Sequence, residues 1–158
     1  MKSFLLSIFL LIGCLDNASV AMESLKPYQI GDWGSVVQSA EGQPVAIHFW
    51  GVTCAPCVKE MPQWGKFLKN NKNVKVIFIQ VDDVPQDAIR KMLSKADLSQ
   101  ASNYYVSSSF DERLRYEVDS KWRGETPITI LIDRNGGKMM NVGPINFARL
   151  RMWFSKSI

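Results

Sequence analysis

Val45-Ala46-Ile47-His48-Phe49-Trp50-Gly51-Val52-Thr53-Cys54-Ala55-Pro56-Cys57 joins an apolar run to two cysteines separated by two residues. The run is almost continuously apolar, as in a strand buried on both faces, and it stops at Gly51. Behind the second cysteine, Met61, Trp64 and Leu68 recur at helical spacing and Phe67 widens the stripe. A strand running into a helix is therefore predicted, with Cys-x-x-Cys at the junction. That placement suits thiol chemistry. The thiolate is the attacking species in disulfide exchange, and a free thiol is mostly protonated at neutral pH. Unpaired N–H groups and partial positive charge at a helix N-terminus both favour the thiolate. Cys54, at the exposed start, is assigned as the nucleophile. Cys57, one turn inside, is the resolving thiol that attacks a mixed disulfide and frees the substrate. Pro56 falls in the first turn, where a missing N–H costs nothing.

Two plainer readings of the pair are weaker. A structural zinc needs about four ligands, and the chain adds only Cys14 and His48. A bridge across two residues closes too short a loop to stabilise much.

Phe49-Trp50-x-x-x-Cys54-Ala55-Pro56-Cys57 resembles the active-site signature of thioredoxin-fold proteins. Cys57-Val58-Lys59-Glu60-Met61-Pro62 is similar to the TlpA-type periplasmic thiol-disulfide proteins, which include the cytochrome c maturation reductases. Glu125-Thr126-Pro127-Ile128-Thr129-Ile130-Leu131-Ile132-Asp133-Arg134-Asn135-Gly136 resembles the family's cis-proline strand and hairpin. The resemblance covers roughly residues 25 to 155. It implies an α/β thioredoxin fold, a central mixed sheet flanked by helices. Cys57 and Pro127 are 70 positions apart (127 − 57), and the excess over a minimal thioredoxin implies a TlpA-type helix-strand insertion.

The resemblance also implies roles. Trp50 and Thr53 shape the site beside the cysteines. Thr126 offers backbone hydrogen bonds to an extended substrate, and Pro127 is expected cis. Glu60 is a candidate for raising a thiol pKa by like-charge repulsion; an exposed helix carboxylate is the plainer alternative. His48 stands where thioredoxins carry a buried acid, six residues before Cys54. It is a candidate acceptor for the Cys57 proton, against a satisfied core histidine. Thr53 departs from the tryptophan usual before the first cysteine. The implied cofactor is only the Cys54–Cys57 disulfide itself, with no metal. The implied partners are protein thiols and disulfides and a DsbD-like membrane electron donor.

Before the first apolar run, Glu23 to Gln43 reads as a lead-in with turns at Gly31 and Gly42, Trp33 and Val36-Val37 covering one sheet edge. Val74 to Val81 is a second buried strand, which with the first and its helix makes a right-handed parallel βαβ unit. Pro62 is expected to kink the first helix. Asp82-Asp83 reads as a solvated loop before a helix of about Gln86 to Lys95. Tyr104 to Val106 is a short strand and Phe110 to Val118 a short helix. Ile128 to Ile132 and Lys138 to Val142 form a hairpin, and about Asn146 to Lys156 a closing helix.

A chain of 158 residues is near single-domain size. With net charge +4 and no Lys/Arg block, no nucleic-acid partner is expected. Residues 1–21 read as an export signal: Lys2, a short apolar run from Phe4 to Ile12, then Ser19-Val20-Ala21 before a cleavage point. Leu11-Ile12-Gly13-Cys14 fits a lipoprotein box equally, which would leave Cys14 lipidated and the protein membrane-attached. Residues 22–158 are then one domain in a bacterial periplasm, where disulfides persist. The function expected is a reductase of protein disulfides. The alternatives are a dithiol oxidase of exported proteins and a Cu(I)-binding module using both soft thiolates. Met139-Met140, distant in sequence, do not supply that module with a cluster.

Overall fold

A computed structural model describes residues 25–40 and 42–157. The export signal expected over residues 1–21, with both cleavage sites and Cys14, lies outside them.

The apolar run becomes β2 (Val45–Trp50), buried at every position. It pairs in parallel with β3 (Lys75–Gln80) on one side and antiparallel with β5 (Ile128–Ile132) on the other. Beyond β3 lie β4 (Ser102–Val106) and β1 (Lys26–Tyr28), both parallel; beyond β5 lies antiparallel β6 (Lys138–Val142). The six-stranded sheet runs β1-β4-β3-β2-β5-β6. A strand enclosed on both edges and both faces reads as unbroken hydrophobicity, and for that reason the sequence shows β2 so clearly.

Successive β2 side chains alternate between two cores. Ala46 and Trp50 pack with Met61, Trp64 and Phe67 of α2 (Ala55–Asn70), Ile89 of α3 (Gln86–Lys95) and Phe154 of α5 (Phe147–Ser157). Val45, Ile47 and Phe49 pack with Val36 of α1 (Trp33–Gln38) and Leu114 and Val118 of α4 (Glu112–Val118). Where α2 crosses the turn after α3, Gly65 lies so close that a β-carbon there would overlap the Ala96 carbonyl oxygen.

Several expectations need correction. The lead-in contains a strand and a helix, and α1 covers a sheet face, with Trp33 against Phe49 at 6.3 Å, not an edge. Pro62 sits inside α2, which runs from Ala55 to Asn70. The short helix α4 begins at Glu112, because Asp111 accepts the Leu114 N–H at 3.0 Å and caps it. Phe110 instead packs on Trp122 at 5.3 Å. The β5–β6 turn forms as expected: Asp133 accepts from the N–H groups of Asn135 and Gly137, and Gly136 takes φ +82°.

Candidate active site

The site lies at the carboxyl end of β2, where Gly51 to Thr53 lead into α2. Cys54 is the N-cap, in extended conformation, and its Sγ accepts the Cys57 N–H at 3.3 Å. Cys54 and Cys57 form a disulfide, with S–S 2.06 Å and Cα–Cα 5.2 Å. Their surroundings differ. Cys57 is fully buried, in the same core cluster as Trp50, Met61 and Trp64, whereas Cys54 is partly exposed.

The Thr126 carbonyl oxygen lies 3.4 Å from Cys54 Sγ. A disulfide sulfur carries no proton, so this is a close contact in the oxidised pair and a ready acceptor for a thiol. The Thr126–Pro127 peptide is cis. Pro127 is buried, and its carbonyl accepts the Gly143 N–H at 2.8 Å. The loop before it is pinned by Trp122, whose indole N–H donates to the Glu125 carbonyl at 2.9 Å while its ring packs 4.7 Å from Phe49. A lone tryptophan in a polar stretch gave no signal of this in the sequence.

Thr53 is exposed, and its main chain makes the contact: its N–H donates to Asp82 Oδ2 at 2.8 Å. Asp82 is thus tied to the loop before Cys54, where a solvated turn was expected. Trp50 is buried with its indole nitrogen unpaired among the described residues.

Glu60 and His48 meet in the interior. Glu60, 2% exposed, is on the turn of α2 after Cys57; the exposed carboxylate of the plainer reading is not found. Its Oε1 accepts the Ile145 N–H at 2.7 Å. Its Oε2 faces His48 Nε2 at 3.9 Å, beyond hydrogen-bond reach, and both atoms lack a partner. His48 is fully buried, packed 4.9 Å from the Trp64 ring, and its Nδ1 is 3.0 Å from Thr129 Oγ1. Burial sets the protonation of both. It pushes the Glu60 carboxyl up to about 7; the Ile145 N–H opposes this, as does the nearby Trp64 indole N–H, which does not complete a hydrogen bond. It pushes His48 down to about 3. A neutral imidazole and a carboxyl that titrates near neutrality therefore share one dry pocket. Thr129 and Ile145 join it from 81 and 85 residues away, a distance at which sequence pattern carries no signal.

Among the described residues no group of three or more His, Cys, Asp or Glu is arranged to hold a metal ion. Met139 and Met140 pair with Leu131 and Ile130, down β5 from Pro127. No helix among those residues is long and apolar enough to cross a membrane.

Residues 30–152 match the Redoxin family. The chain is 28% identical over 103 residues to the thiol-disulfide oxidoreductase ResA of Bacillus cereus, covering 63% of this chain and 54% of ResA. It spans about half the length of the curated relatives it matches. Among solved structures it resembles a DsbF homologue from Corynebacterium diphtheriae (TM-score 0.63, 17% identity, 77% of this chain and 76% of that one). It also resembles MTB dsbF in its mixed oxidized and reduced forms (TM-score 0.62, 16% identity, 77% and 85%). The mixed sheet, the flanking helices and a match spanning most of the sequence lead to one assignment: the chain belongs to the Redoxin family and has a thioredoxin-like fold.

Proposed function

We propose that this protein is a thiol-disulfide oxidoreductase that reduces disulfides of other proteins in a bacterial periplasm. The observation that carries the reading is the Cys54–Cys57 pair at the start of α2, with one sulfur buried, the other accessible, and the Thr126 carbonyl beside the accessible one.

In the reduced state Cys54 thiolate attacks one sulfur of a substrate disulfide. A mixed disulfide forms and the second substrate sulfur leaves as a thiolate. Cys57 then loses its proton and attacks Cys54 Sγ, closing the Cys54–Cys57 disulfide and releasing the first substrate sulfur. Two electrons pass to the substrate, and the two thiols surrender two protons. The exposed edge around Thr53 and the Thr126-Pro127 loop align the substrate chain, and Trp50 packs in the core with Cys57 behind it.

Cys57 ionises in a dry setting that disfavours its thiolate. Glu60 is the better acceptor for that proton, since burial already brings its carboxyl to about 7. His48, held neutral by burial, faces the carboxyl at 3.9 Å with no hydrogen bond between them, so it adds no charge of its own beside the proton that Glu60 takes up. Resetting the pair needs a dithiol donor, which the family resemblance makes a DsbD-like membrane protein. An export signal or a lipidated Cys14 would put the domain on the same side as that donor. We read α3 and β4 as the TlpA-type addition, because β4 separates β1 from β3.

Two measurements test the proposal. The reduction potential of the pair should lie near or below that of thioredoxin, about −270 mV; a value near about −120 mV would make the protein an oxidase. Cys57→Ser should accumulate mixed disulfides through Cys54, and Cys54→Ser should form none. Mixed disulfides captured on Cys57 would reverse the two roles.

A further inference from the structure

We propose that Asp82 is a positioning residue for Cys54: its carboxylate clasps the Gly51–Thr53 loop and disfavours the Cys54 thiolate. This rests on the reading above that Cys54 is the attacking thiol.

Asp82 lies two residues past the end of β3, and its main chain is fixed from several sides. Val81 N–H donates to the Trp50 carbonyl at 2.9 Å, carrying the pairing with β2 one residue past the end of β3. The Asp82 carbonyl accepts from Gln80 Nε2 and from Val84 N–H, each at 3.1 Å. The side chain therefore leaves a rigid base and crosses to the neighbouring loop. There Oδ2 takes the Thr53 N–H at 2.8 Å, one residue before Cys54. The fit is close: a β-carbon on Gly51 would lie 2.6 Å from Oδ1 and 2.8 Å from Oδ2. Gly51 has no positive φ to account for it. The space its missing side chain leaves is filled by this carboxylate.

Two consequences follow from such a clasp. The loop is tied to β3, so Cys54 is held at a fixed place against Thr126. A negative charge is also held beside the loop that carries the thiol, and a like charge opposes thiolate formation. A less stable thiolate means a less stable reduced form, which biases the pair toward giving electrons away. Asp82 also borders an open cleft with Asp83, Ser107, Ser108 and Ser109, so dissolved ions reach the charge and screen it.

Asparagine at position 82 keeps an acceptor for Thr53 and removes the charge, whereas alanine removes both. In glutathione buffers, Asp82→Asn should shift the Cys54–Cys57 equilibrium toward the dithiol by about threefold. About 1 M NaCl should remove most of the difference from wild type. Asp82→Ala should show the same shift and, in addition, lose about tenfold in the rate of exchange at Cys54. Gly51→Ala, which displaces the carboxylate but keeps it in the chain, should slow exchange as Asp82→Ala does. The proposal is overturned if Asp82→Asn and Asp82→Ala both leave the glutathione equilibrium and the Cys54 alkylation rate at wild-type values. It is also overturned if Gly51→Ala exchanges at the wild-type rate. Both readouts use small thiols and alkylating agents, so they report on Asp82 even if no protein disulfide proves to be a substrate.

Discussion

Cys54 and Cys57 share one disulfide and have little else in common. The floor near Cys57 is built from side chains: Trp50, Trp64, and His48 and Glu60, which face each other, all at most 2% exposed. The rim around Cys54 is built largely from main chain: the Cys57 N–H, the Thr126 carbonyl and the Thr53 N–H held by Asp82. Residue identity matters unequally on the two sides. Apart from Asp82, the rim side chains can be exchanged without losing these contacts, whereas in the floor a substitution opens packed space or strips a partner from His48 Nδ1 or from the Ile145 N–H.

The floor should reveal itself most strongly in the pH dependence of stability. Glu60 is pushed from 4.5 up to about 7. Between those values the fold holds more protons than the unfolded chain, so Glu60 makes stability fall as pH rises from about 4.5 to about 7. His48 is pushed from 6.5 down to about 3. Here the unfolded chain holds more protons, and stability falls as pH drops from about 6.5 to about 3. From about pH 4.5 to 6.5 the two slopes oppose each other. His48→Asn should then lose up to about 1.4 kcal/mol per pH unit as pH rises through that window, and Glu60→Gln should lose a similar amount as pH falls. Denaturant midpoints of the oxidised proteins across the window test this. Parallel curves for wild type and both variants would mean that the floor does not titrate.

Thr129→Val should act more weakly and without pH sign. It preserves shape but leaves His48 Nδ1 unpaired in the interior, a loss of about 1–3 kcal/mol, read as a lower unfolding midpoint near neutral pH. An unchanged midpoint would show that Nδ1 finds another partner. The smallest effect is expected on the rim. Thr53→Ala keeps the N–H that Asp82 binds, and stability should stay within about 0.5 kcal/mol of wild type. A glutathione equilibrium moved more than about twofold would show that the rim, too, depends on side-chain identity.

The same division governs what the sequence makes legible. The strand, the cysteine pair, the helix behind it and the Thr126-Pro127 strand each lie within one short segment, where period and motif speak directly. Strand β1 buries only Tyr28 fully and α1 only Val36, so neither repeats often enough to show a period. Glu60 and His48 stand out as candidates through the family resemblance. Their shared pocket does not, because Thr129 and Ile145 complete it from the far side of the sheet. Asp82 looked like a loop acid, since its partner Thr53 is 29 residues away.

The central place of β2 has a consequence for how the chain comes together. One edge of β2 is matched early, by β3, within a local βαβ unit. The other waits for β5, whose residues pair Val45 with Ile132. Until that hairpin arrives, β2 is an edge strand with one polar side chain, His48, in a row of apolar ones. Such an edge is a template for pairing with another chain. A product truncated before Ile128 would keep both cysteines and its helix, yet its fate should be aggregation. The C-terminal hairpin is thus the guard of the chain's most adhesive strand.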